Sequence, residues 1–336
     1  VSDRVIIIDI RRGNTDIPIH EIKQACGRVG RKHTGQEAFV DIVLPCSEQK
    51  HFQKEMEAGS EFFVKSVLQE ADELPFHVIS EIVNGVIQSK DDINTWHKRS
   101  LDCFQGNKIA VEKVVKKLKE AESVTEVGNS LHATALGKIA SKMYFTPLSV
   151  FEWKTNFDLI FQRSLESDIF AVSWALANTS FGNRRYNPYG IYYLIEEYKD
   201  QVSSLNVDYE GAIISGILWW YMLGGPSIKS LISEVGSMQN DFPRILTTLR
   251  KIDEDYAHWD RPDFWDDLEV MVRHRIPAYL VPLCKLNGIS KTSAMELYNM
   301  DIKCLGDMRE RLSDIEGIGN LKLLNDVKKL LREIEQ

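Results

Sequence analysis

The sequence predicts a mostly α, multidomain chain that opens with a short α/β segment. Strand-like runs are confined to the stretch before Pro45 and one later hairpin, helical periodicity fills nearly everything from residue 47 onward, and two glycine-turn units close the chain. At 336 residues there is room for two or three ordinary domains of ~100 to 200 residues, or for several small ones. Hydrophobic residues at 43%, charged residues at 27% and aromatics at 10% exclude collagen-like, disulfide-scaffold and fully disordered chains.

Residues 4–10 (RVIIIDI) are β-branched, 11–16 (RRGNTD) carry turn residues and 17–19 return to apolar character. This reads as a hairpin with Arg11 and Arg12 at its tip. From residue 21 the pattern turns helical (EIKQACGRVGR), and 38–44 (AFVDIVL) alternates up to Pro45, the order expected at the end of an α/β domain. Residues 47–121 are helix-patterned, with Ile109, Val111, Val114, Val115 and Leu118 on one apolar stripe. Residues 124–134 (VTEVGNSLHAT) place two strand-like pieces around Gly128 and Asn129, and a helix followed by a small hairpin suggests a winged helix. Thr134, and then Thr146 with Pro147, supply N-cap hydroxyls and an N1 proline for the next two helices. Residues 147–276 read as a helical bundle broken at 180–189 and at Gly224, Gly225 and Pro226. Residues 286–298 (LNGISKTSAMELY) and 315–327 (IEGIGNLKLLNDV) each set an apolar residue before a glycine turn and a new helix, the pattern of paired helix-hairpin-helix motifs.

The longest apolar run, 212–223 (AIISGILWWYML), is shorter than the ~18 to 20 residues of a spanning helix, so a buried helix and no membrane partner are expected. Five cysteines without CxxC spacing predict neither a disulfide framework nor zinc, and indicate a reducing intracellular compartment, cytoplasm or nucleus. Eight histidines show no HxxxH or Cys/His ligand spacing, so no metal site is expected. The acidic stretch 253–269 (DEDYAHWDRPDFWDDLE) reads as a solvated helix and loop. With a net charge of -8, any nucleic-acid contact must come from local patches. The chain opens on Val, with strand character at once and no signal-peptide pattern, and reads as a piece of a longer protein.

The sharpest chemical signal is 24–31, QACGRVGR. Arg28 and Arg31 are three apart, neighbours on one face if the segment is helical, and Gly27 and Gly30 leave room for close approach. A guanidinium fork binds phosphate oxygens bidentately and stays charged when partly desolvated. A solvated basic helix end is the plainer reading, but a glycine costs ~1 kcal/mol relative to alanine inside a helix, so two of them beside two arginines call for a function.

QACGRVGR resembles motif VI of superfamily 2 helicases in its QxxGRxGR form, and the strand and hairpin before it resemble the lead-in to motif VI in the Ski-two-like branch. The likeness runs on. Residues 131–153 (LHATALGKIASKMYFTPLSVFEW) are similar to the segment that closes the winged helix and opens the helical domain in archaeal fork-repair helicases of the HELQ-like type. Residues 239–256 (QNDFPRILTTLRKIDEDY) fall at that family's ratchet helix, and the closing glycine turns at its helix-hairpin-helix domain.

The resemblance implies the C-terminal part of an ATP-dependent 3'-to-5' DNA helicase that unwinds forked or branched DNA in repair and recombination. It divides the chain into a second RecA-like domain's end (1–46), a winged helix (47–145), a ratchet domain (146–276) and a helix-hairpin-helix domain (277–336). Gln24, Gly27, Arg28, Gly30 and Arg31 become ATP-binding residues, with Arg28 and Arg31 catalytic and Arg31 the arginine finger. Arg11 and Arg12 fall at the strand-separating hairpin. Arg244 falls at a basic DNA-contacting position after a candidate N-cap, Asp241, and Lys251 stands where relatives often present a stacking Trp. Gly288, Gly317 and Gly319 would turn backbone N–H groups toward DNA phosphate. Arg184, Arg185, Tyr186 and Tyr189 mix cations and rings as a single-strand contact does, and equally as a surface loop does.

No GxxxxGK[ST] occurs in the sequence. ATP and Mg2+ are therefore expected to be shared with a missing N-terminal RecA-like domain, in cis or in trans, and this polypeptide alone is expected to be inactive as an ATPase. The expected substrates are single-stranded and forked DNA. Two other readings stay open at this level: a stand-alone nucleic-acid-binding module without a motor, and part of an RNA helicase.

Overall fold

The computed structural model describes residues 4–12, 15–27, 29, 39–57, 66–69, 73–183, 210–225, 232–317 and 319–335. It is mostly α, as expected, and divides into two compact units, Val1–Ser66 and Val67–Gln336.

In the first unit, β1 (Arg4–Ile7) does not pair with the segment after the turn, as the sequence reading had it. It pairs in parallel with β4 (Phe39–Ile42), Arg4 opposite Phe39 and Ile7 opposite Ile42. Parallel pairing needs a crossover, and the chain between the two strands contains α1 (Ile19–Cys26). The hairpin survives in reduced form: β2 (Arg11–Arg12) pairs antiparallel with β3 (Thr15–Asp16), and Ile17 donates its N–H to the Ile10 carbonyl at 2.7 Å. α2 (Cys46–Glu57) completes the unit and buries Phe52. Ile6, Ile8, Phe39 and Val43 stay exposed, so this two-stranded sheet leaves much of its apolar surface uncovered.

The second unit begins with α3 (Glu73–Val83), α4 (Lys90–His97), α5 (Leu101–Phe104) and α6 (Val111–Glu120), followed by the hairpin β5 (Val124–Val127) and β6 (Ser130–Ala133). Val114, Val115 and Leu118 from the expected stripe meet Val78, Ile79, Ile93 and Leu131 in one core, with Ile109 and Val111 at its margin. A capping box of Ser89 and Asp92 starts α4. Gly128, at φ +62°, makes the turn between the strands. α7 (Ala135–Met143) packs so closely that a Cβ on Gly137 would stand 2.2 Å from the Ser123 carbonyl oxygen.

Both predicted start signals operate: the Thr134 hydroxyl accepts from Gly137 N–H at 3.1 Å, and Thr146 accepts from Ser149 N–H at 3.2 Å at the head of α8 (Pro147–Gln162). The main core joins α8 to α9 (Ile169–Ala177), the short α10 (Ser180–Asn183), α11 (Glu210–Met222), α12 (Ile232–Ile252) and α13 (Pro262–His274). The 212–223 run forms the buried α11, with Ile214, Ile217 and Trp219 fully enclosed. Among the described residues no helix is long and apolar enough to cross a membrane.

α12 corrects one expectation. It is continuous over 21 residues, with Pro243 inside it, so Asp241 lies in mid-helix rather than at an N-cap. Proline removes one ladder bond there, and the buried face of Phe242, Ile245, Leu246 and Leu249 holds the helix through the break. A single π turn (Asp253–Ala257) ends the run, with His258 left-handed at φ +53°.

The chain closes with α14 (Val281–Cys284), α15 (Lys291–Asn299), α16 (Leu305–Glu310), α17 (Leu312–Gly317) and α18 (Leu321–Glu335). Gly288 (φ +84°) and Gly319 (φ +76°) make the turns before α15 and α18, whose amides are capped by Ser290 and Asn320.

Candidate nucleic-acid interface

Arg244 and Lys251 are seven residues apart on α12, two turns and ~10 Å along one side of the helix. Both reach the region where α12 meets the end of α7. The Arg244 guanidinium lies 4.1 Å over the Phe145 ring, with Nη1 3.5 Å from the Tyr144 carbonyl oxygen and Nη2 3.8 Å from Asp241. Phe145 is itself fixed edge-on against Trp153 at 4.8 Å and Phe181 at 5.1 Å. Burial on this aromatic shelf pushes the Arg244 pKa down from its ordinary value, although the guanidinium keeps its proton. The result is a pre-oriented cation with little conformational entropy left to lose on binding an anion.

Lys251 is half-exposed and bonded to Glu254 at 2.8 Å, with Asp255 at 3.9 Å. The Glu254 hydrogen bond, and then the Asp255 charge, raise its pKa. Its neighbour Arg250 turns the other way, to Asp266 at 2.8 Å and Glu269 at 3.1 Å, and so ties α12 to α13. The three cations are therefore not one solvated face.

The end of α12 is anchored by groups the sequence did not reveal. Asp253, read as part of a solvated stretch, is buried and accepts from Asp260 N–H at 2.7 Å, Arg261 N–H at 3.1 Å and Trp265 Nε1–H at 2.7 Å. Tyr256 donates to Glu122 at 2.7 Å, and burial together with that bond pushes its pKa up to about 12. Trp259 donates to Asp158 at 2.8 Å, and Lys154 pairs with the same carboxylate at 3.0 Å. The only hint in the sequence was the mixture of carboxylates with indoles and a phenol, which can satisfy one another when buried.

The other expected residues are scattered. Arg11 holds Asp16 at 3.0 Å and Glu48 at 2.7 Å, and the Asp16 bond and the Glu48 charge raise its pKa. Arg12 sits in β2 beside it. Gln24 is exposed on the last turn of α1, which closes at Cys26, and Gly27 caps it with its N–H on the Lys23 carbonyl at 2.9 Å. A Cβ on Gly27 would meet nothing nearer than 3.5 Å, so that side of the turn is open. Arg28, Gly30 and Arg31 lie outside the described residues, as do Arg184, Arg185, Tyr186 and Tyr189. Gly288 and Gly319 have the left-handed φ that the turns require, whereas Gly317 is the last residue of α17. Among the described residues no group of three or more His, Cys, Asp or Glu side chains is placed to hold a metal.

No family model matches the chain. Similarity to curated proteins is extensive but distant. The chain is 23% identical over 331 residues to the ATP-dependent DNA helicase Hel308 of Thermoplasma acidophilum, an alignment covering 92% of the chain and 47% of that protein. Against Hel308 of Thermococcus kodakarensis it is 25% identical over 359 residues, covering 96% of the chain and 32% of the relative. The chain is a distant relative of the Ski-two-like helicases. Hel308 of Methanocella arvoryzae matches at 30% identity over 158 residues, 44% of the chain and 21% of the relative. The chain thus spans less than half the length of the Hel308 proteins it matches.

Proposed function

We propose that the chain is the C-terminal part of an ATP-dependent 3'-to-5' DNA helicase that acts on forked or branched DNA and grips a single strand along α12. The observation that carries this reading is the likeness to Hel308 over 92% and 96% of the chain, joined to the placement of Arg244 and Lys251 two turns apart on one continuous helix. In this reading α3–α7 with β5 and β6 are a winged helix, residues 146–276 the ratchet domain and 277–336 a helix-hairpin-helix domain in which the turns at Gly288 and Gly319, with Gly317 at the end of α17, meet DNA phosphate. Arg11 and Arg12 belong to the strand-separating hairpin, and Arg11 would exchange Asp16 and Glu48 for phosphate on engaging DNA.

The motif VI residues fit the charged end of a nucleoside triphosphate by their chemistry: guanidinium forks in Arg28 and Arg31, the exposed Gln24 amide and the open turn at Gly27. ATP with Mg2+ would supply the phosphoryl group whose transfer drives the motor. Arg28 and Arg31 would hold and neutralise the charge that develops on it, an effect worth ~10³ to 10⁵ in rate for an arginine finger. The phosphate-cradling loop would come from a further RecA-like segment, in cis or in trans. The uncovered apolar residues of the β1–β4 sheet support this, because parallel sheets are buried on both faces. This polypeptide alone is accordingly expected to hydrolyse ATP no faster than buffer, and DNA-stimulated turnover by it would contradict the assignment.

Fluorescence anisotropy with single-stranded DNA, matched RNA and blunt duplex, each at two salt concentrations, tests the nucleic-acid half of the proposal. Salt-sensitive binding that prefers single-stranded DNA supports it. Preference for RNA would move the chain to the RNA-unwinding branch, and no binding to any of the three would overturn the reading of α12.

A further inference from the structure

A second feature borders the same helix. Between α7 and α12 lies a cavity of about 360 Å³ whose floor includes Ile139 and Met143 and whose rim carries Lys138, Lys142 and Lys251 together with the Asp255 carboxylate. Lys138 and Lys142 are exposed, one turn apart on α7, and neither forms an ion pair among the described residues. Some other cations of this unit are neutralised, Lys90 by Glu112 and Glu126, Lys119 by Glu126 and Lys154 by Asp158, whereas the exposed Lys98 and Arg99, like Lys138 and Lys142, form no ion pair among the described residues. Two like charges at i and i+4 repel and weaken a helix. The repulsion between Lys138 and Lys142 is therefore a cost to the fold that an anion would relieve, while Lys251 across the groove is already held by Glu254 and Asp255 and would exchange them for the anion.

The shape of the groove narrows the class of anion. A free inorganic anion needs no apolar floor, whereas a nucleotide unit of a single strand offers an apolar base face together with phosphate. The volume lies within the range of small-ligand sites, ~300 to 1,000 Å³. Tyr144, 74% exposed and held left-handed at φ +56°, follows Met143 directly, and its carbonyl meets Arg244. Ammonium groups, an exposed ring and a guanidinium on an aromatic shelf thus follow one another along the α7–α12 boundary.

We propose that this groove is a binding site for single-stranded nucleic acid, in which Lys138, Lys142 and Lys251 contact backbone phosphates while a base rests against Ile139 and Met143. The site extends the α12 track onto α7 and rests on the reading of α12 as a nucleic-acid-binding helix. Lys138 and Lys142, rather than any residue of α12, are its distinguishing elements.

The test is anisotropy of the whole chain with fluorescein-labelled oligodeoxythymidine across a salt series. It compares wild type, Lys138→Gln/Lys142→Gln and a control, Lys98→Gln/Arg99→Gln, which removes two exposed cations that do not line the groove. The groove variant is expected to bind about tenfold more weakly, and its plot of log affinity against log salt to flatten by about 1.4, at ~0.7 for each single-strand phosphate that is no longer neutralised. The control keeps both the affinity and the slope. Equal affinity and slope for wild type and the groove variant would overturn the site while leaving the proposed function standing, and an equal loss in the control would reduce it to general electrostatics and overturn it too. A wild type that fails to bind overturns the reading of α12, and the groove falls with it.

Discussion

Replacing Asp253 with Ala tests how the end of α12 is held. The carboxylate is 6% exposed and accepts three hydrogen bonds at 2.7 to 3.1 Å. Their loss is unequal. Asp260 and Arg261 are exposed, so water can replace the acceptor at their amides, at ~0.5 to 1.5 kcal/mol each. Trp265 is 1% exposed, and its indole N–H would stay unsatisfied at ~1 to 3 kcal/mol. Relief from burying a charge offsets part of this sum, and the expected net loss is about 3 kcal/mol. Asp253→Asn, which keeps one acceptor oxygen, should lose about half as much. Urea unfolding followed by tryptophan emission reads the effect cleanly, because all 7 tryptophans lie in the second unit. At an m-value of ~3 kcal/mol/M the midpoint should fall by about 1 M. An Ala variant within about 0.5 kcal/mol of wild type would refute the claim that this carboxylate anchors the helix end.

Three further outcomes follow from the same geometry. Gly137→Ala should destabilise the second unit by ~1 to 3 kcal/mol despite the better helix propensity of alanine, because its Cβ would stand 2.2 Å from the Ser123 oxygen and 2.9 Å from Ile79 Cδ1. Gly236→Ala, on α12 with nothing within 4 Å of its Cβ, should instead stabilise by up to ~1 kcal/mol, and thermal melts that fail to separate the two would contradict the packing of α7. Tyr256 titrates at about 12 rather than its ordinary 10, so the folded state binds its proton more tightly than the unfolded state. The stability contributed is fully present below about pH 10 and is lost as pH rises through about 12, and a phenolate absorbance titration should lose one late-ionising tyrosine in Tyr256→Phe.

What the sequence revealed and what it hid divide along physical lines. Local signals were legible: the Thr134 and Thr146 caps, the Gly128 turn, the Val114–Leu118 stripe and the buried 212–223 helix all depend on residues within one or two turns of each other. Pairings at long range were not. The partner of β1 lies past α1, and nothing in RVIIIDI distinguishes a hairpin arm from a parallel strand. Asp241 stood as a candidate N-cap, yet burial of one face carries α12 through it and through Pro243. The roles of Asp253, Tyr256 and Phe145 depend on partners 12, 134 and 99 residues away, at Trp265, Glu122 and Arg244. Arg244 and Lys251 were legible as candidates because a family resemblance placed them, whereas the aromatic shelf under one and the lysine groove beside the other required the fold.

The most direct test of the central claim is photocrosslinking of the whole chain to a single-stranded oligonucleotide carrying thiothymidine, with the crosslinked peptides mapped by mass spectrometry. The account predicts crosslinks concentrated on peptides containing α12 and the 138–145 segment, lost on adding unlabelled single-stranded DNA and reduced in Arg244→Ala. Crosslinks confined to other parts of the chain, with α12 peptides unmodified, would contradict it.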